Sequence, residues 1–438
     1  MSMVSKNSQS SMPPRRLLEH LFESAVASVA AHHCLPQHLP QTSAIGRTLV
    51  LGAGKAAAAM AQTVAQSVPG RLEGLVVTRY GHTVDEEIPG ITVIEAAHPV
   101  PDEMSLKAAS DMLALASSTG PNDRLIFLAS GGGSSVLALP IPGLDFTKKR
   151  ELMRHLVLCG APISDINTVR KHVSAIKGGR LLDAARYAGE VLTLVISDVP
   201  GDDPALVASG PTIPDPSRVA KARAVIERWG APDREEILDL LRQEEAETPK
   251  SAPCTHRIIV AARAADCLSS AYETARSMGL DVVDLGDRLE GVSAQLGQDH
   301  ARLALKAQAQ GRPTLILSGG ETTVQLDSSS VGGCGGPNLE YLLGMMLELK
   351  GAAGIYALAC DSDGIDGNGD HAGGIIEPQS LERARALGLD PAESLKRHDS
   401  YKLFKALGDL IVTGPTRTNV NDFRAILVEP VADRRVSL

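Results

Sequence analysis

Short apolar runs that stop abruptly in glycine, serine, histidine or aspartate constrain this chain more than any other feature. TLVLGAGK (48–55), GLVVTRYGH (74–82), ITVIEAAHP (91–99), RLIFLASGGGSS (124–135) and VLTLVISDVPGDD (191–203) alternate with longer helical patterns. Continuous Leu, Val and Ile without polar alternation implies strands buried on both faces, as in a parallel sheet covered by helices. From Arg218 to Pro253 the chain is charged and helical in pattern, and EEAETPKSAP reads as a linker. A second series follows: HRIIVAARAAD (256–266), GLDVVDLGD (279–287), PTLILSGGETTV (313–324), GIYALACDSDG (354–364), DLIVTGPT (409–416) and AILVEP (425–430). The expectation is an α/β protein of two domains. Residues 14–250 would form a Rossmann-like, doubly wound, mostly parallel sheet and residues 254–438 a second α/β domain, with the active site in the cleft between them. In open α/β sheets ligands bind outside the carboxyl ends of the strands, so the polar terminations are the candidate site.

The length of 438 residues, with 43% apolar and 22% charged residues, suits two globular cores rather than one. A formal charge of -9 and the lack of a basic arm argue against nucleic acid as a partner. The six cysteines are scattered without a CxxC pair, which reads as reduced thiols and a cytoplasmic protein. The polar start MSMVSKNSQSSMPPRR reads as a frayed tail rather than a signal peptide, and no apolar run reaches the roughly 18 residues of a membrane span.

The stretch ALACDSDGIDGNGDHAGG (357–374) holds Asp361, Asp363, Asp366 and Asp370 on one glycine-rich loop. Carboxylates this dense repel one another unless solvated or neutralised by a cation. An EF-hand is excluded, since counting from Asp361 puts Ile365 at the fifth position and Ala372 at the twelfth. A magnesium site remains, because Mg²⁺ takes few protein carboxylates and fills its shell with water and phosphate oxygens.

LGAGKAAA satisfies G-x-G-x-x-A through Gly52, Gly54 and Ala57. The dinucleotide fingerprint also wants an acid at the end of the next strand, where Thr78 and Arg79 stand; an Arg there could accept an NADP 2′-phosphate. Lys55 at a helix start is unfavourable with the helix dipole unless an anion lies between, and a solvated lysine is the bland alternative. In SGGGSS, Gly131, Gly132 and Gly133 would let successive N–H groups converge on one anion, with Ser130 and Ser134 adding hydroxyls; a flexible turn is the competing reading. NTVRKHVSAIKGG places Arg170 and Lys177 seven apart, on one face of a helix, as candidate substrate ligands or as a solvated basic face. Asp198, directly after a buried run, is the candidate base or metal ligand, whereas Asp202 and Asp203 cap or face water. SGGETT (Ser318, Gly319, Gly320, Glu321, Thr322) repeats the strand-to-glycine arrangement. His98 is a turn or core histidine, with catalysis the less favoured reading.

Taken together these motifs resemble the glycerate 2-kinase family of the MOFRL type. The matching pieces are GAGKAA, AAHPVPD, SGGGSS, NTVRKHVSAIKGGRL, ISDVPGDDPALVASGPT, SGGETTV, DSDGIDGNGD and VTGPTRTNVND, in order from about residue 15 to 423. The resemblance implies ATP-dependent phosphorylation of D-glycerate at the 2-hydroxyl, with Mg²⁺. Lys55 and Asp198 would be catalytic, and Gly54, Ser130, Gly131, Gly132, Gly133, Ser134, Arg170 and Lys177 would bind substrate or phosphate. Ser318, Gly319, Gly320, Glu321, Thr322, Asn338 and Glu340 would bind nucleotide, and Asp198, Asp361 and Asp363 metal. Family members often carry a hydroxypyruvate reductase label, so an NADPH-dependent reductase is the first alternative and a non-catalytic sugar-acid or nucleotide sensor the second. The family loop Gly-(Arg or Lys)-Gly-Gly-Arg-Asn-Gln-Glu reads GCGGPNLE at 333–340, where Cys334, Pro337 and Leu339 replace two basic groups and an amide. Arg417 is a candidate replacement; homodimerisation is left open by the sequence.

Overall fold

A computed structural model describes residues 12–326 and 333–430. Of the N-terminal stretch read as a frayed tail, residues 1–11 lie outside the described residues. The first sheet contains Thr48–Ala53 (β1), Leu72–Arg79 (β2), Ile91–Ala96 (β3), Arg124–Ala129 (β4), Glu190–Ile196 (β5) and His256–Ala262 (β6). Its order is β3-β2-β1-β4-β5-β6 and every pairing is parallel. That is the strand order of a Rossmann-type doubly wound sheet, whose direction of winding reverses between β1 and β4. Leu49, Leu51, Val77, Leu125, Phe127 and Val195 are fully buried in its core, where each large apolar side chain contributes about 1.5–3 kcal/mol.

Beyond β6, a second sheet begins with Asp281–Asp284 (β7). Gly291–Val292 (β8) and Thr322–Thr323 (β10) form a separate short parallel pair. Thr314–Gly320 (β9), Ile355–Asp361 (β11), Gly373–Ile376 (β12), Leu410–Ile411 (β13) and Asp422–Val428 (β14) complete the larger sheet, in the order β13-β12-β11-β14-β9-β7. Only the β7–β9 pairing in it is parallel. The acidic stretch is therefore the connection of an antiparallel pair, β11 to β12, and DLIVTGPT supplies a strand of just Leu410–Ile411.

The chain divides into two compact units. One comprises Val29–Arg263 and Pro415–Val420; the other holds the helix Pro14–Ser28, Ala264–Gly414 and β14. Three segments depart from a division at 250–254. β6, read as opening the second series, extends the first sheet by pairing with β5, Val191 opposite His256. Helix Pro14–Ser28 buries Leu17, Leu18, Leu21, Phe22 and Ala25 in the second unit, the Phe22 ring 5.7 Å from that of Phe423. Pro415–Val420 returns to the first unit, where the Thr418 hydroxyl donates to the Val29 carbonyl at 3.0 Å. No helix among the described residues is long and apolar enough to cross a membrane, and all six cysteines are free thiols.

Candidate functional site

The first unit gathers its polar strand ends where the winding reverses. Gly54 follows β1 at φ +128°, and a β-carbon there would collide with the hydroxyl and carbonyl of Ser130. The two loops are stitched together: Lys55 N–H donates to the Gly131 carbonyl at 2.8 Å, and Ala56 N–H to the Ser130 hydroxyl at 3.0 Å. Ser130 is fully buried and its hydroxyl braces the Lys55 turn. Gly133 and Ser135 N–H groups are satisfied by the carbonyls of Ser130 and Gly132. The amides of Gly131 and Gly132 have no partner among the described residues, which leaves two adjacent N–H groups for an anion. Ser134 shares a hydrogen bond of 2.7 Å with Ser209.

Around that turn stand three further groups. Asp198, half-buried just beyond β5, accepts from the Asn419 side-chain amide at 3.0 Å. A β-carbon on Gly131 would collide with both Asp198 and Asn419, and one on Gly132 would lie 3.1 Å from His98 Cδ2 and 3.4 Å from Lys55 Cγ. Glycine at 131 and 132 is therefore what lets Lys55, His98, Asp198 and Asn419 approach one peptide turn. Asn419 was missed from sequence as a site residue; its only signal was its place in VTGPTRTNVND. Asp203 accepts from Ala205 N–H at 2.9 Å, a local cap as expected. Arg417 pairs with Asp85 at 2.8 Å.

Arg170 and Lys177 do not share a helix face, because the helix Ile163–His172 ends before Lys177. They nevertheless meet at a cavity of about 630 Å³ whose wall includes Ser134, Ser135, Lys149 and Phe146. The Lys177 ammonium donates to the Leu137 carbonyl and that of Lys149 to the Leu139 carbonyl at 2.8 Å. Burial, then the neighbouring Arg170 charge, lowers the Lys149 ammonium to about 7. Burial and both neighbours push Lys177 well below the ordinary lysine range. Sequence reasoning missed Lys149 because TKKRE reads as an exposed basic helix face.

In the second unit the expected nucleotide loop is mostly built into the fold. Ser318, Gly319 and Gly320 lie buried within β9 opposite Arg424, Phe423 and Asp422, and a β-carbon on Gly320 would collide with Leu289 backbone. The Thr322 hydroxyl accepts from the fully buried Arg424 at 3.2 Å, leaving Glu321 as the exposed member of SGGET. Asn338 donates to Asp422 at 2.6 Å, and Glu340 takes His398 Nδ1 at 2.6 Å, both beneath the loop. Ser318, Thr322, Asn338 and Glu340 are thus buried side chains. Burial raises the Glu340 carboxyl above its usual value, with His398 pulling it back. Burial raises the Asp422 carboxyl as well, opposed by Arg424 and Asn338.

The acidic loop also separates by role. Asp366 caps the helix Pro337–Leu349, accepting from Asn338 N–H at 3.0 Å and Leu339 N–H at 3.1 Å. Asp363 is fully buried with one oxygen accepting from Ile365 N–H at 2.7 Å. Asp361, half-buried at the end of β11, accepts from Asp363 N–H at 2.9 Å. No group of three or more His, Cys, Asp or Glu suited to a metal occurs among the described residues. Mg²⁺ needs only one or two carboxylates when phosphates complete its shell, so a smaller protein ligand set would suffice. The departures in GCGGPNLE are accommodated: Pro337 takes the first helical position and Leu339 is buried in the core.

Residues 17–242 match the family profile described as a domain of unknown function, DUF4147, and residues 314–422 match the MOFRL family. A D-glycerate 2-kinase of Thermotoga maritima is 33% identical over 413 residues, covering 93% of this chain and 97% of the relative. This chain belongs to the MOFRL-type glycerate 2-kinase family. Its fold matches the crystal structure of a Thermotoga maritima glycerate kinase with a TM-score of 0.84 at 33% identity, covering 94% of this chain and 99% of that one. An Agrobacterium vitis member, provisionally named hydroxypyruvate reductase, is 48% identical over 419 residues, 94% of each chain. Within this glycerate 2-kinase family, therefore, names of two different chemistries occur.

Proposed function

We propose that the protein phosphorylates D-glycerate at its 2-hydroxyl, with ATP as donor, giving 2-phosphoglycerate. The reading is supported by the glycerate 2-kinase relative that spans nearly the whole chain. The observation that carries it in the structure is the turn at Gly131 and Gly132, with two unpartnered amides beside Lys55 and Asp198. In the reaction the 2-hydroxyl oxygen bonds to the γ-phosphorus while the bond from that phosphorus to the bridging oxygen breaks. ADP leaves with the electron pair, and the hydroxyl proton passes to Asp198, which Asn419 holds by one oxygen. Lys55 and the Gly131 and Gly132 amides stabilise charge on the phosphoryl oxygens, the term that dominates phosphoryl transfer. Arg170 and Lys177 attract the acceptor. In the second unit Glu321 is the exposed group offered to nucleotide. Asp198 in the first unit, or Asp361 and Asp363 in the second, would supply carboxylates to Mg²⁺, which draws charge from the phosphate oxygens when bound.

The reductase reading is favoured by the name of the 48% identical relative and by G-x-G-x-x-A through Gly52, Gly54 and Ala57. Against it, β2 ends in Thr78 and Arg79 where a dinucleotide site usually offers an acid. Two assays on the same preparation decide: glycerate-dependent ADP release from MgATP, and hydroxypyruvate-dependent oxidation of NADPH. The kinase reading expects the first and not the second. NADPH oxidation without ADP release would reverse the assignment.

A further inference from the structure

The cavity beside the glycine turn concentrates positive charge that the fold itself does not neutralise. Its wall takes Lys149, Arg150 and Arg154 from the helix Phe146–Leu158, Arg170 from Ile163–His172, and Lys177 from the loop beyond. Glu151 is the single acid on that wall among the described residues, and it is exposed. Lys149 is 4% exposed and Lys177 is 1% exposed, yet each ammonium meets a backbone carbonyl rather than a carboxylate. Among the described residues the Arg170 guanidinium donates to the Asn167 side-chain carbonyl, at 2.7 Å, and to no carboxylate. We propose that Lys149, Arg170 and Lys177 form the subsite for the acceptor's carboxylate, and that this carboxylate binds together with a proton taken up by the two lysines.

Three cations crowded into one buried site repel each other and lose hydration, so without an anion the site relieves itself by releasing protons from the lysines; arginine holds its own. Lys149 lowered to about 7, and Lys177 pushed well below the ordinary lysine range, agree with that state. A carboxylate in the cavity removes both penalties, and the lysine pair takes a proton back up. Each ammonium has three N–H donors and gives one to a carbonyl, so donors remain for the incoming oxygens. Ser134 and Ser135 on the same wall continue the chain from the glycine turn, so the cavity adjoins that turn. Lys149, which sequence reasoning passed over, thereby becomes a binding residue for the substrate. The inference rests on the glycerate reading, but its test uses no ATP.

Titration calorimetry of the intact protein with D-glycerate slightly above neutral pH, in Tris and in triethanolamine, reads proton uptake from the change in heat between buffers. Net uptake is expected, and the dissociation constant should weaken by up to about tenfold per pH unit above neutrality. Glycerol, which lacks the carboxylate, should not bind with uptake. Lys149→Met should lose about tenfold or more in affinity and lower the uptake. Glycerate binding without uptake in the unmodified protein would overturn the inference, whether or not the variant folds. So would a folded Lys149→Met that keeps full affinity and uptake. Inorganic phosphate bound with uptake while glycerate binds without it would assign the cavity to a phosphoryl group instead. Production of 2-phosphoglycerate without uptake would sink this inference alone; uptake without turnover would sink the kinase reading alone.

Discussion

Asp198 keeps one carboxylate oxygen on the Asn419 amide, and Lys55 reaches the same glycine turn. Because phosphoryl transfer depends on positioned charge, Lys55→Ala should lower kcat by about 10²–10³-fold, with an unchanged circular dichroism spectrum. A near-normal rate would remove Lys55 from the mechanism. Gly131→Ala tests the turn itself: the added methyl would collide with both Asp198 and Asn419, so activity should collapse while unfolding free energy falls by about 1–3 kcal/mol. Full activity in that variant would mean that the turn can relax without disturbing the carboxylate. What was legible at this scale was residue type beside a strand end, which identified Lys55, Asp198 and the glycines. Asn419 was not legible as their partner, because it lies 221 residues from Asp198 along the chain. Lys149 was hidden by a neighbourhood of solvated charges.

At the scale of elements, the acidic loop works largely as a brace. Asp366 accepts from two backbone N–H groups at the start of the helix Pro337–Leu349 and from the Asn338 side chain at 3.3 Å. Asp366→Ala should therefore lower stability by about 1–3 kcal/mol, read as a lower melting temperature, and leave Lys55 chemistry in place. An unchanged melting temperature would contradict the bracing role. Sequence density of carboxylates pointed to a cation because it shows charge but not the N–H groups folded against that charge. The parallel strands of the first sheet were legible for the opposite reason, since burial on both faces writes a continuous apolar run. β6 carries the same kind of run, and nothing local says which sheet it joins. The short strand β12 was hidden in glycines whose close approach to β11 leaves no room for a β-carbon on Gly373.

For the whole molecule, the buried lysines couple stability to pH. A lysine whose folded value lies below its unfolded value binds more protons when unfolded, so stability rises as pH climbs from about 7 toward the unfolded lysine range. Between pH about 7 and 8.5, unfolding free energy of the substrate-free protein should rise by up to about 1.4 kcal/mol per pH unit for each such lysine. Denaturant midpoints across that window check it, and Lys149→Met should flatten the slope. Above that window the buried thiol of Cys267, raised to about 12, works with the opposite sign. The two-unit α/β organisation was legible in the sequence, but the return of Pro415–Val420 to the first unit was not, because a single polar segment carries no periodicity to reveal its destination. The most direct test of the kinase reading is phosphorus NMR of the purified protein with D-glycerate and MgATP. The expected result is a 2-phosphoglycerate signal growing as ATP is lost. A 3-phosphoglycerate signal, or intact ATP and glycerate in the presence of folded protein and Mg²⁺, would contradict it.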